Sequence, residues 1–307
     1  MNLIKENIIN LAKELGFSSV GFSVADNMEV ESHRLKRWLA EGNQGEMNYL
    51  ERYDDLRTDP RKLHPGTKTI ISLSFNYYNP NLTQDEDLPK IAMYALGEDY
   101  HKVLKKKLKE LSNKIRQEIN PDVNIRFFTD SAPILEREWA RRSGLGWVGK
   151  NTMLIHPRQG SFFFLAELLI DLEIEADQEI KDHCGTCTRC IEACPTDAIS
   201  EEGYWMDGSK CISYLTIELK EEEIDSEFKE KMEGWAFGCD ICQQVCPWNK
   251  FSKPHHEIAF EANPELINLT KEEWLNLDQE TFDEKFSKSP IKRTGLKGMK
   301  RNVEFLG

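Results

Sequence analysis

The chain has 307 residues, of which 39% are hydrophobic, 10% aromatic and 30% charged, and its formal net charge is -13. That length fits about two domains with a sizeable core, the composition excludes global disorder, and the acidic balance excludes a surface coated for nucleic acid while leaving room for a local basic strip. No apolar stretch approaches the ~18 residues of a membrane span, and Met1 to Phe17 carries neither a signal-peptide pattern nor a twin-arginine start, so a soluble cytoplasmic protein, acting as a monomer, is expected.

From Asn2 to Leu15, Ile4, Ile8, Leu11 and Leu15 recur at helical spacing, with Gly16 as the stop. Ser19 to Val24 reads as a strand. Thr69 to Tyr77 alternates Ile71, Leu73 and Phe75 against Ser72, Ser74 and Asn76, the pattern of a half-buried strand. A long helix is predicted over His101 to Ile119, its basic run Lys102 to Lys109 facing solvent. Val123 to Phe128 follows as a strand, then Ala132 to Ser143 as a third helix with Pro133 in its first turn and Gly144 past its end. Phe162 to Ile170 is a nearly continuous apolar run. Strands alternating with helices predict an α/β layer domain over residues 1–178. The acidic, aperiodic stretch Glu173 to Asp182 is the expected linker into a second domain at 179–254. Short helical patterns around Glu265 to Leu269 and Glu272 to Leu277 then open a C-terminal segment at 255–307.

All eight cysteines fall in the second domain. The run Cys184-x2-Cys187-x2-Cys190-x3-Cys194-Pro195 has the bacterial ferredoxin spacing, in which the cysteine before proline ligates the other cluster of a pair. Cys239-x2-Cys242-x3-Cys246-Pro247 is one cysteine short of four, and the isolated Cys211 supplies it. This arithmetic places Cys184, Cys187, Cys190 and Cys246 on one 4Fe-4S cluster and Cys194, Cys211, Cys239 and Cys242 on another. Zinc accounts for paired cysteines but not for two Cys-Pro endings or the repeated x2 spacing. Disulfides need an oxidising compartment, which nothing in the sequence indicates.

Outside the cysteines, Asp130 stands at the predicted end of a strand, where ligands bind in α/β folds, although the residues alone favour a helix-capping acid there. Gly144-x-Gly146-Trp147-x-Gly149-Lys150-Asn151 is a glycine-rich loop without phosphate-loop or dinucleotide spacing, a place of close backbone approach with Lys150 free for an anion or an amide oxygen. None of the seven histidines sits in an Asp-x-His-x-x-Gly arrangement that would offer an imidazole to cobalt. Clusters beside a pocket-bearing domain point to single electrons delivered to a centre that uses them in pairs, with flavin, corrinoid and directly reduced substrate all open. From Lys285 to Arg301 the chain is basic without an acid, a candidate phosphate contact or a solvated tail.

The combination of Arg57-x-Asp59-Pro60-Arg61, Tyr94-Ala95-x-Gly97-x-Asp99-Tyr100-His101, Asp130-Ser131-Ala132-Pro133, the glycine loop, the full cysteine set, Cys211 to Thr216, and Gly238 to Gln243 with Cys246-Pro247-Trp248-Asn249 resembles the epoxyqueuosine reductase family over nearly the whole chain. The resemblance implies a nitroreductase-like α+β cobalamin-binding domain, a ferredoxin-like two-cluster domain and a short helical C-terminal segment. It also implies base-off cobalamin, an external electron donor, and tRNA bearing epoxyqueuosine in its anticodon loop as substrate. Asp130 is then the proton donor, requiring a carboxyl pKa raised by burial. Arg57, Asp130, Lys150, Asn151, Leu154 and Leu165 fall where the cofactor is held, and Lys288, Lys292, Arg293, Lys297, Lys300 and Arg301 become the tRNA contact. Many family members continue into HEAT-like repeats about where this sequence ends. The rivals are a corrinoid reductive dehalogenase, generally exported behind a twin-arginine leader, and a plain ferredoxin-type carrier.

Overall fold

The structure, a computed structural model, describes residues 3–82 and 84–307; Asn2, where the first helix was expected to begin, lies outside them. Strands β1 (Ser19–Val24), β2 (Thr69–Asn76), β3 (Ile125–Phe128) and β4 (Phe163–Ile170) form one sheet in the order β1-β2-β4-β3, every neighbouring pair antiparallel. Helices α1 (Leu3–Glu14) and α2 (Tyr100–Glu118) cover one face. Their stripes, Ile8 and Leu11 from α1 and Leu104, Leu108, Leu111 and Ile115 from α2, pack on Phe22, Ile71, Leu73, Phe75, Leu168 and Ile170. Each such side chain contributes about 1.5–3 kcal/mol of burial.

The other face is not open to water. β2 is buried along all but its last residue, with Ser72 and Ser74 fully enclosed, which corrects the half-buried expectation. A third helix, α3 (Glu136–Arg142), sets Trp139 against Ile70, Phe128 and Leu169. Just past its end, Ser143 Oγ lies 3.1 Å from Ser23 Oγ and 3.2 Å from Ser72 Oγ. A Cβ on Gly21 would stand 2.0 Å from the Ser143 carbonyl oxygen. The small polar residues of these strands therefore record the close approach of a helix end, not solvent.

Helix α3 is also shorter than expected. Residues 129–135 form an irregular turn, and Pro133 lies before the helix. The glycine loop is a small hairpin, Trp147–Val148 paired with Leu154–Ile155, and a Cβ on Gly146 would meet the Ile155 carbonyl oxygen at 2.1 Å. Gly146 and Gly149 admit the hairpin's own partner strand, and Gly144 admits the linker, where a Cβ would meet the Gln178 carbonyl oxygen at 2.5 Å.

The acidic linker is strapped to the first domain: Lys5 Nζ meets Asp177 Oδ1 at 2.6 Å, and Asp177 Oδ2 accepts from the Phe22 N–H at 3.0 Å. The C-terminal segment shares its core with both halves, Leu266, Trp274, Phe282, Phe286, Met299 and Val303 packing with Ile91, Leu96 and Phe237. Lys90–Ile91 of the first half pairs in parallel with Trp235–Phe237. Among the described residues no helix is long and apolar enough to cross a membrane.

Candidate active site

A cavity of about 810 Å³ lies between the first domain and Tyr204, Trp205 and Met206 of the second, at the large end of ligand pockets. Leu35 and Trp38 of the helix Glu29–Ala40, an element the periodicity did not reveal, form one wall with Tyr49, Leu50, Tyr53 and Arg57. The turn from Asp130 to Leu135 forms the floor, with His101 and Arg293 beside it.

Asp130 has a φ of +49° and stands clear of the helix that follows, so it caps nothing. Aspartate tolerates this left-handed backbone better than most residues. The turn aims its carboxylate at the start of α2, where the Tyr100 hydroxyl donates to Oδ2 and His101 Nε2 lies 3.3 Å from the same oxygen. Asp99, the N-cap of α2, accepts from the His101 backbone N–H at 3.0 Å and holds His101 Nδ1 at 2.8 Å. Tyr100 is fixed by stacking on Phe164, centroids 4.1 Å apart. Burial disfavours the charged imidazole, but Asp130 and Asp99 outweigh it and push the His101 pKa up to about 9. Burial likewise works to raise Asp130, yet the hydrogen bonds from His101 and Tyr100 hold its carboxyl below the usual range. The raised Asp130 pKa expected from the sequence is thus corrected: the proton shared by this pair rests on His101. Sequence reasoning passed over His101, although the Asp-Tyr-His triplet was its signal.

Two further carboxyls crowd beneath. Glu136 Oε1 accepts from the Asp130 N–H at 2.7 Å, and Glu167, in the middle of β4, is fully enclosed. Burial, then neighbouring Asp130, pushes Glu136 up to about 7, and burial and Glu136 raise Glu167 strongly. A lone glutamate in an apolar run was the signal here.

The eight cysteines are free thiols, so no disulfide forms. Burial raises Cys190 to about 11, with Cys184, Cys246 and Cys187 adding repulsion, and Cys246 likewise feels Cys184 and Cys187. Cys242 is raised by burial and then by Cys211, Cys239 and Cys194, with a smaller push from Cys190. Trp147 Nε1 donates to Cys184 Sγ at 3.4 Å, the kind of bond that tunes a cluster's potential.

Of the expected cofactor contacts, Arg57 and Asp130 line the cavity. Arg57 is anchored by the Arg52 and Tyr49 carbonyls at 3.2 and 2.9 Å. Lys150 and Asn151 turn to the cysteine loops: Lys150 Nζ donates to the Gly185 and Cys187 carbonyls at 2.9 and 3.0 Å, and Asn151 Nδ2 to that of Cys242 at 3.2 Å. Leu154 is buried in a small apolar cluster against which Leu165 packs. The basic strip runs through α4 (Gly295–Phe305), where Arg301 donates to the Leu215, Leu219 and Glu221 carbonyls at 2.8–2.9 Å. Arg293 pairs with Glu218 at 2.7 Å in the cavity wall, whereas Lys288, Lys292 and Lys297 pair with Glu98, Asp283 and Glu222 at the surface. Lys300 lies near enough to Asp278 to lower its pKa, after the Thr281 bonds.

Eight free thiols at ferredoxin spacing, beside a pocket floored by the Asp130–His101 pair, are the arrangement of an iron–sulfur oxidoreductase. The family model for "Epoxyqueuosine reductase QueG, DUF1730" matches residues 57–131, and that for a 4Fe-4S double cluster binding domain matches 183–249. The epoxyqueuosine reductase of Cellulophaga algicola is 51% identical over 305 residues, covering 99% of this chain and 97% of its own, and that of Leadbetterella byssophila 52% over 301, covering 98% and 97%. A crystal structure of epoxyqueuosine reductase with a tRNA-Tyr epoxyqueuosine-modified stem loop superposes with a TM-score of 0.90 at 30% identity, covering 99% of this chain and 80% of that one. The chain belongs to the epoxyqueuosine reductase family and is an oxidoreductase, which sets aside the dehalogenase and plain-carrier readings.

Proposed function

We propose that this chain reduces the epoxide of epoxyqueuosine in a tRNA anticodon loop to the alkene of queuosine, with base-off cobalamin in the cavity and an external donor feeding the two clusters. The observation that carries this is the Asp130–His101 pair on the floor of a large cavity, in a chain 51% identical over 99% of its length to a named epoxyqueuosine reductase. The cavity fits a corrinoid: Leu35, Trp38 and Leu50 offer an apolar wall, and Arg34, Arg52 and Arg57 offer donors to its amide oxygens. Both His101 ring nitrogens are engaged by Asp99 and Asp130, which leaves that imidazole no lone pair for cobalt. When bound, cobalamin supplies a two-electron reductant that the clusters recharge one electron at a time. The proposed ligand sets are Cys184, Cys187, Cys190 and Cys246, and Cys194, Cys211, Cys239 and Cys242. The direct test is anaerobic incubation with cobalamin, a reductant and tRNA carrying epoxyqueuosine, followed by nucleoside mass analysis; failure to form queuosine would refute the proposal.

Turning an epoxide into an alkene consumes two electrons and two protons and releases the oxygen as water. Asp130, reached by an extruded base, presents a proton to the departing oxygen and draws it from His101. Because the His101 pKa is raised to about 9, its proton is in place through neutral pH and is lost as pH climbs through about 9. Turnover is therefore expected to fall above that pH, and initial rates of His101→Gln should lack this limb. An unchanged limb in the variant removes His101 from the proton path.

The tRNA contact is assigned to Lys288, Lys292, Lys297 and Lys300. The surface pairs of the first three are screened by solvent and salt and exchange readily for phosphate, whereas Arg301 is bound into the fold. Replacing the four lysines with alanine should flatten the salt dependence of tRNA binding by about 0.7–0.9 in log-log slope for each phosphate left without a lysine partner. A slope equal to that of the unaltered protein would return the strip to an ordinary solvated face.

A further inference from the structure

The reduction consumes two protons, and the Asp130–His101 pair holds one. Glu167 sits in the middle of β4, fully enclosed, and neither of its carboxyl oxygens has a hydrogen-bond partner among the described residues when it is ionised. A charge left in that state is prohibitively costly. Its cross-strand neighbours are Ser72, whose hydroxyl is within reach of Ser143, and apolar Phe128. The group that does face it is Glu136, at the start of α3, close enough for a carboxyl-to-carboxyl hydrogen bond once one of the two is protonated. Glu136 in turn holds the Asp130 N–H and lines the cavity. The charged groups that act most strongly on Glu136 are Asp130 and His101; Arg137 also feels Glu136, but its guanidinium donates to the Thr152 carbonyl at 2.5 Å.

We propose that Glu136 and Glu167 share one proton and act as an internal store that reloads Asp130, through Glu136, with the second proton of each turnover. Asp130 delivers the first proton to the oxygen as the epoxide carbon–oxygen bond opens. The carboxyl pair then gives its proton to Asp130, which passes it to the leaving hydroxyl, and the oxygen departs as water. The two electrons are those of the reduction itself, and solvent refills the store after product leaves. Glu136 and Glu167 are thus positioning residues acting through Asp130, and the inference rests on Asp130 being the donor.

Infrared spectra of the cluster-loaded protein at neutral pH, in H2O and D2O, are expected to contain a buried carboxylic-acid band that Glu167→Gln removes and Asp130→Asn retains. A spectrum unaffected by Glu167→Gln overturns the store. Glu136→Gln keeps an amide oxygen for the Asp130 N–H but cannot pass a proton. Its kcat should fall about 10²-fold, the low end for a proton-transferring group, with an unchanged KM for tRNA and an enlarged solvent isotope effect, and a kcat equal to the unaltered enzyme's overturns the proposal. If Asp130→Asn retains full turnover, the donor reading fails and the store with it. If Asp130→Asn is inactive while Glu136→Gln is at full rate, the store alone fails.

Discussion

Asp130→Asn is expected to lower turnover by about 10²–10⁴-fold, the range a positioned general acid contributes, while both clusters assemble normally. Asparagine keeps the shape and tolerates the left-handed backbone that residue 130 adopts. It also accepts from the Tyr100 hydroxyl, so the floor of the cavity stays in place. What it loses is the capacity to take a proton from His101 and hand it on. Nucleoside mass analysis of single turnovers, with iron content measured in parallel, separates this from a folding defect. Full turnover in the variant removes Asp130 from the chemistry.

Cys211→Ala is expected to halve the iron, from about eight to about four per chain, and to reduce turnover to background. Cys211 lies at the N-terminus of the helix Ile212–Ile217, where the Ser213 and Tyr214 N–H groups bond its sulfur, and it is half-buried. No other free cysteine is left over to replace it. The double variant Cys211→Ala, Cys242→Ala should retain the same four irons, because both belong to one proposed ligand set. Cys211→Ala combined with Cys246→Ala should retain almost none. Iron counts that fail to distinguish the two doubles would sink the partition of ligands.

The cysteine module was legible because a cluster's ligand spacing is written in the chain itself. The sheet was legible in outline, since β1, β3 and β4 follow from apolar runs. What eluded reading was whatever depends on which surface a residue meets. Ser72 and Ser74 looked like a solvent face because nothing local announces that a helix end will cover Ser72 and that Ser18 will meet Ser74. The helix Glu29–Ala40 buries no residue fully and carries no strong apolar stripe, because Leu35 and Trp38 face a cavity instead of a core. Lys150 and Asn151 looked like ligand contacts, and their partners are carbonyls in loops distant in sequence. Asp130 looked like an acid needing burial to hold its proton, and its partners at Tyr100 and His101 reverse the sign.

Those last carbonyl bonds belong to a wider set of ties. Ser161, at the head of β4, gives its N–H to Asn249 Oδ1 at 2.6 Å and receives Gln243 Nε2 on its carbonyl at 3.0 Å, all in the buried interior. The loops that present the thiols therefore borrow their scaffolding from the other half of the chain. Excised on its own, the segment 183–249 would lack the partners that set its shape, so iron loading must await a folded neighbour.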